Sequence, residues 1–463
     1  MKLTISPKIK AELDPGFVPA ALWNQAYRKA VKVSGKAQKI VIALSRPSGT
    51  CSTYETEVFP HEGEYQALNT KYVERIVKFL LWMKGGYKVT IAGSQGIADA
   101  LAKIYSASGL RAFDCDIMGE RIYGRPFEVV GVPYENAPKS HEIEVALGGH
   151  TDGYRIGFDL GGSDRKCAAV ANGEVVYTDE VRWDPYFEKN PEYHRKGIVD
   201  SIKRAAAHMP RIDSIGGSSA GVIVENQPRI ASLFRGVSRE DFDAKVVNIF
   251  KDIEKEFNVP MIVANDGEVT ALAAAMSMKC SGVLGIALGT SLAAGYVNVS
   301  GNITDWLDEL AFAPIDYREN GPIDEWSGDE GCGVQFFSQQ GIARLAPLAG
   351  LEFPDEMKFP ERLVEVQKLM EQNDERAAAI FRTIGVCFGY SIAHYADFYD
   401  LHNLLILGRV TSGEGGEIIL KEAETTLKAE FPELAKQIKF RIPDETFKRH
   451  GQAVVAASLP LLK

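Results

Sequence analysis

The stretch YRIGFDLGGSDRKCAAVANGEVVYTDEV, residues 154–181, decides the reading of the fold. A strand at 155–160 carries Asp159 at its edge and turns on Gly161, Gly162 and Ser163 into a second strand at 166–171. Asn172-Gly173 is a two-residue hairpin signal, because a type I′ turn needs positive φ at both central positions, and a third strand covers 174–181. The glycine turn therefore joins two strands. A dinucleotide-binding fingerprint sets its glycines between a strand and a helix, so the stretch argues against a Rossmann fold.

Further on, GVLGIALGTSLAAGYVNVSGNIT, residues 282–304, repeats the unit. A strand at 283–288 turns on Gly289, Thr290 and Ser291 into a strand at 293–299, followed by a Ser-Gly-Asn turn at 300–302. Two such hairpins predict two similar half-folds, each presenting a tight turn to a shared cleft. Successive backbone N–H groups in such turns point outward, and small residues permit close approach. As a pair, the turns at Gly161–Ser163 and Gly289–Thr290 read as a clamp for a polyphosphate; singly, each reads as an ordinary hairpin. Asp159 is placed to hold a magnesium ion, directly or through water, and Lys166 to neutralise developing charge.

Between the hairpins, VPMIVANDGEVTALAAAMSM (259–278) reads as a strand, an Asn265-Asp266-Gly267 junction and a helix. Two readings of Asp266 stay open. Phosphoryl transfer to an alcohol needs a carboxylate beside the attacking hydroxyl, and Asp266 suits that task. It also suits capping of the helix. Asn265 is then a hydrogen-bonding neighbour of the acceptor. RIDSIGGSSAG (211–221) is a strand ending in a small-residue turn at Ser219, which lines an acceptor pocket or forms a tight packing corner. NLLILGRVTSGEGG (403–416) runs from a strand into a glycine-rich loop, where Gly408 lets backbone approach a base or ribose, or merely connects strand to helix.

Chain-level properties bound the function. The 463 residues exceed one core, so two or three domains are expected. A net charge of −10 argues against a generic nucleic-acid or anionic-membrane binder. The first residues hold no apolar signal core, and no apolar run reaches the ~20 residues of a spanning helix, so a cytoplasmic location is expected. Cysteines 51, 115, 167, 280, 332 and 387 form no CxxC pair, which fits reduced thiols. Residues 39–105 read as an α/β module, with strands at 39–45, 53–59 and 87–92 and helices at 72–84 and 96–105. The GSQG turn at 93–96 is either a phosphate site at a helix N-terminus or a plain strand-to-helix turn. The expected division is 1–150, 151–270 with a C-terminal helix at 447–463 returning to it, and 271–446.

In order, DLGGSD, GGSSAG, VPMIVAND, LGTS and LLILG resemble the superfamily that holds sugar kinases, actin and heat-shock chaperone ATPases. Within it the chain most resembles the ROK family of sugar kinases and sugar-responsive repressors, over about residues 154–463. The resemblance implies an α/β fold of duplicated RNase H-like, actin-like ATPase domains with an extra N-terminal α/β module. It implies ATP and Mg²⁺ as cofactors, a small sugar or polyol as partner, and a homodimer. It makes Asp266 the catalytic base, DLGGSD and LGTS the phosphate motifs, Leu407-Gly408 the adenosine region and Glu309 a sugar ligand.

The departures are specific. The family carries a histidine and three cysteines for a structural zinc; here Phe312 replaces the histidine and only Cys332 remains, so no zinc site is expected. A second sugar-binding glutamate, expected near Val334 or Gln335, is missing. Ser291 and Ala293 stand where the second phosphate loop favours glycine. Residues 1–150 hold no evident helix-turn-helix. The leading expectation is an ATP- and Mg²⁺-dependent sugar or polyol kinase. A non-catalytic sugar or nucleotide sensor on a kinase scaffold, and a phosphohydrolase, are the alternatives.

Overall fold

The computed structural model describes residues 3–145, 148–441 and 451–462. Packing divides the chain into two compact units. One comprises Met1–Ile143, Ile286–Ala293 and Asp305–Phe440; the other comprises Glu144–Gly285, Ala294–Thr304 and Arg441–Lys463. The residues read as a separate N-terminal module therefore share a compact unit with most of 286–440.

In the first unit, β1 (Gln38–Ser45), β2 (Cys51–Val58), β3 (Lys88–Ala92) and β4 (Glu128–Val132) form a sheet of order β2-β1-β3-β4. β1 is antiparallel to β2 and β3, and β4 is parallel to β3. The helix expected at 72–84 begins earlier, at Tyr65, because the polar first turns carry no apolar period. Ser94 caps the Gln95–Ile104 helix by accepting the Ile97 N–H, so the GSQG turn is a capped strand-to-helix connection.

Charged groups tie this unit together from the inside. Lys78 Nζ bonds both oxygens of Asp114 at 2.9 and 3.0 Å and also bonds Asp329. Arg111 joins Glu74 at 2.6 Å and Asp329. Trp82 Nε1 donates to Asp114 at 2.6 Å. Burial pushes the Lys78 ammonium toward the neutral form, but the Asp114 and Asp329 carboxylates outweigh it and the net shift is upward. Ahead of the first helix, Leu13 N–H donates to Thr383 Oγ1 and Asp14 bonds both Arg318 and Arg344. The Glu375–Ala396 helix is long and apolar enough to cross a membrane by composition, yet 89% of its apolar window is buried in the protein, as in a core helix.

The second unit begins with β5 (Glu144–Val145) and builds a sheet from β6 (Tyr154–Leu160), β7 (Asp164–Ala171), β8 (Glu174–Arg182) and β9 (Ser214–Ser219). A small hairpin, β10 (Val222–Val224) and β11 (Gln227–Ile230), precedes the last strand, β12 (Met261–Asn265). The order is β12-β9-β6-β7-β8. β6, β9 and β12 run parallel, while β7 and β8 return antiparallel. Asn172 and Gly173 take φ of 49° and 86°, as the hairpin reading requires. Ile156 and Phe158 face a core with Ile198, Ile202, Phe250 and Ile253. Gly157 and Gly216 admit the Gly451–Ala457 helix: a Cβ at either would fall far inside contact with the Ala453 or Ala456 carbonyl. Residues 447–450 of the expected terminal helix lie outside the described residues.

β13 (Val283–Leu288) leads out of the second unit, the chain turns at Gly289–Ser291, and β14 (Leu292–Val297) leads back. β15 (Ile303–Thr304) then pairs with β14 and with β5. In the first unit, β16 (Asn403–Leu407) lies between the end of β13 and β17 (Lys439–Arg441). A hairpin flanked by a further strand thus occurs twice, as the paired motifs predict.

Candidate functional site

The C-terminal ends of parallel strands are where open α/β sheets present ligand groups. In the second unit those ends carry Asp159 on β6, Ser218 and Ser219 on β9, and Asn265 with Asp266 after β12. Register puts Asp159 beside Ser218, and Ser219 beside both Leu160 and Asn265. Asp159 is 5% exposed, and its Oδ1 accepts the Ser218 hydroxyl at 2.7 Å. Lys166 Nζ lies 3.8 Å from Asp159 and 3.5 Å from Asp164. Burial pushes the Asp159 carboxyl up to about 6; Ser218 and Lys166 oppose the shift, and the charge of Asp266 adds to it. Burial also raises Asp266, against the pull of backbone amides. Asp159, buried and held by a serine and a lysine, feels the charge of Asp266, and the carboxyls of both are raised.

The cap reading of Asp266 is settled by its neighbour. Asn265 is the N-cap of the Asp266–Met278 helix: its Oδ1 accepts the Gly267 N–H at 2.7 Å, and Glu268 accepts the Asn265 N–H at 3.3 Å. Asn265 Nδ2 donates to Gly221 O at 2.8 Å. Asn265 therefore has a structural task, and Asp266 sits in the first helical turn, its carboxylate accepting one N–H, from Gly267 at 2.9 Å. Ser219 is fully buried at the strand end, and its hydroxyl has no partner among the described residues.

Each glycine turn is a braced loop. Gly161 N–H donates to Asp164 O at 3.0 Å, and Gly289 N–H donates to Ser291 O at 2.9 Å. These two bonds leave the amides of Gly162, Ser163 and Thr290 unused by the turns' own bracing. Trp183 fixes the first turn: its Nε1 donates to Gly161 O at 2.8 Å and its backbone N–H donates to Ser163 O at 3.1 Å. Gly162 packs under Tyr186, whose ring leaves no room for a Cβ. Gly289 is different, because a Cβ there meets only Ser291 O, at 3.6 Å. Gly408, at φ 108°, abuts the Leu288 backbone, so packing on β13 demands a glycine there.

In the first unit, the segment that resembles the family's sugar and zinc motifs is aromatic. Phe312 packs against Trp82 and Trp326, with ring centroids 4.4 and 5.1 Å away, where the family has histidine. Glu309 N–H donates to Trp82 O at 2.9 Å. Gln335 bonds Gln340 at 2.7 Å. Burial pushes the Cys332 thiol up to about 12, and it donates to Asp329 O. No cluster of three or more His, Cys, Asp or Glu among the described residues is placed to hold a metal ion. A cavity of about 340 Å³ opens beside the loop after Gly408, lined in part by Gln339, Leu363, Val364, Arg409 and Ser412.

Ser218 and Trp183 were not singled out from the sequence. Ser218 was legible in GGSSAG only once β9 was aligned with β6. Trp183 lies beyond the quoted hairpin and carries no local signal.

A parallel three-strand core closed by an antiparallel hairpin, with a carboxylate at the hairpin turn and a second at a capped helix start, defines the actin-like ATPase class. Comparison makes this particular: the chain belongs to the ROK family, whose model matches residues 155–441. The fold is similar to that of a ROK hexokinase from Thermus thermophilus, at 17% identity over 66% of this chain and 96% of that one, TM-score 0.52. It is also similar to a ROK transcriptional regulator homologous to the E. coli MLC protein, at 17% identity over 66% and 77% of the two chains, TM-score 0.51. No curated protein matches the chain.

Proposed function

We propose that the protein is an ATP- and Mg²⁺-dependent kinase that phosphorylates a hydroxyl of a sugar or related polyol, with Asp266 as general base. The observation that carries this is the placement of Asp159 and Asp266 at the ends of β6 and β12, with both carboxyls raised. A carboxyl raised by burial is a better proton acceptor at neutral pH than an exposed one.

Asp266 takes the proton of the attacking hydroxyl and orients it, with Ser219, Asn265 and Glu309 as acceptor contacts. The Asp159 donor set fits magnesium. One oxygen accepts the Ser218 hydroxyl and the other lies 3.8 Å from Lys166 Nζ, so Asp159 would offer the ion a single carboxylate edge. Mg²⁺ keeps most of its waters and is bound through one or two carboxylates plus substrate phosphates. Bound there, it would neutralise charge on the transferring phosphoryl group. The amides of Gly162, Ser163 and Thr290 meet phosphate oxygens, Lys166 supplies a cation, and Gly408 borders the adenosine.

The test is ADP formation from ATP–Mg²⁺ against a panel of sugars and polyols, with and without acceptor. Acceptor-dependent ADP is expected. Asp266→Asn should lower kcat by about 10²–10⁴-fold with nucleotide binding retained; unchanged turnover refutes the role. A second reading, a non-catalytic sensor, draws on Phe312 in place of the histidine and on the missing glutamate near Gln335. It requires a thermal shift with sugar and no turnover. Fold does not separate the two.

A further inference from the structure

We propose that Gln339 reads the edge of the nucleotide base in the cavity beside the 408–412 loop, selecting adenine over guanine; this rests on the nucleotide-binding part of the reading above. Gln339 is fully buried, yet neither its Oε1 nor its Nε2 has a partner. It is the one residue with two such atoms among the described orphaned side chains. Buried polar groups are nearly always paired, so an amide left open at both ends needs an explanation. A ligand supplies one, because Gln339 lines the cavity.

The backbone fixes where that amide stands. Gln339 N–H donates to Gly289 O at 2.9 Å, which ties it to the second glycine turn. Across the cavity, Gln367 Nε2 donates to Arg409 O at 2.9 Å and to Ser412 O at 3.4 Å, holding the loop against the Phe359–Glu371 helix. The cavity measures about 340 Å³, within the range of small-molecule sites. Pro360, Leu363 and Val364 line it with apolar surface, and Glu361, Glu365, Arg409 and Ser412 line it with charged and polar groups. A flat ring with apolar faces and one hydrogen-bonding edge matches that lining. A primary amide sets a donor beside an acceptor. On its N6/N7 edge adenine offers the complement, an amino donor next to a ring-nitrogen acceptor, whereas the matching O6/N7 edge of guanine presents two adjacent acceptors and leaves the amide oxygen unmet.

The experiment is calorimetric titration of the full chain with non-hydrolysable ATP and GTP analogues in Mg²⁺. Wild type should favour the adenine analogue about 10-fold or more. Gln339→Met should bring the two within about 2-fold, and Gln339→Glu, which keeps the acceptor for the adenine amino group but loses the donor that both bases use, should weaken both analogues and keep the adenine preference. Without nucleotide, Gln339→Met should melt no lower than wild type, because it removes an unpaired buried amide. Unchanged selectivity in Gln339→Met, or a gain in guanine affinity in Gln339→Glu, overturns the proposal and leaves the kinase reading standing. A 2′-deoxy analogue that loses affinity to wild type but not to the variants reassigns Gln339 to the ribose and also overturns it. Failure of wild type to bind either analogue overturns both readings.

Discussion

Asp159 carries a cost that its neighbours only partly offset. Its carboxyl is pushed from 3.8 up to about 6, so the folded protein holds the proton more tightly than the unfolded chain does. The favourable contribution is complete below about pH 4 and is lost as pH rises through about 6. At pH 8 the folded state bears the full penalty, on the order of 2–3 kcal/mol. Asp159→Asn should therefore raise the melting temperature at pH 8 and leave it nearly unchanged at pH 4; equal shifts at both would remove burial as the cause. His394 titrates in the opposite sense. Burial and the Arg28 charge push its imidazole down to about 3, with one ring nitrogen bonded to Pro314 O. Its contribution is present above about pH 6.5 and is lost as pH falls toward 3. His394→Gln should flatten the acid limb of stability against pH in urea titrations.

At the scale of elements, the glycines separate packing from function. Gly216→Ala drives a methyl into the Ala456 backbone and should lower stability by about 1–3 kcal/mol or more, because a helix carbonyl cannot rotate away. Gly289→Ala meets only one atom at 3.6 Å, so its unfolding midpoint should stay close to wild type. Denaturant melts of the two variants test the contrast. The elements themselves were readable because their signals are local. Short apolar runs gave β1 and β6, alternation gave β2, Asn172-Gly173 gave the hairpin, and the glycine turns gave the duplicated unit. The cap was misplaced onto Asp266 as one of two options because Asn and Asp are both good N-caps, and only backbone geometry tells which residue stands outside the helix.

At the scale of the molecule, the sequence showed that residues 1–150 fall outside the family pattern but not what they pack against. The reason is separation. Lys78 and Asp329 are 251 residues apart, and helical periodicity shows that Lys78 lies on a buried face without naming its partner. Lys78→Met leaves Asp114 and Asp329 buried without their shared cation and should cost about 3–5 kcal/mol. Adding Asp114→Asn should restore part of that loss, because Asp329 keeps Arg111 while Asp114 is the acid left without a cation; urea unfolding of single and double variants measures the coupling. Phe312 was read as a departure from the family's histidine, and the aromatic packing of Trp82 and Trp326 around it follows only from the folded chain.

Trp183 gives the second unit an optical handle. Trp23, Trp82, Trp306 and Trp326 all belong to the first unit, so the indole bonded to Gly161 is the second unit's sole tryptophan chromophore. Subtracting the emission of Trp183→Phe from that of wild type isolates a label-free reporter on the first glycine turn, and that difference should shift when Mg²⁺-nucleotide is added.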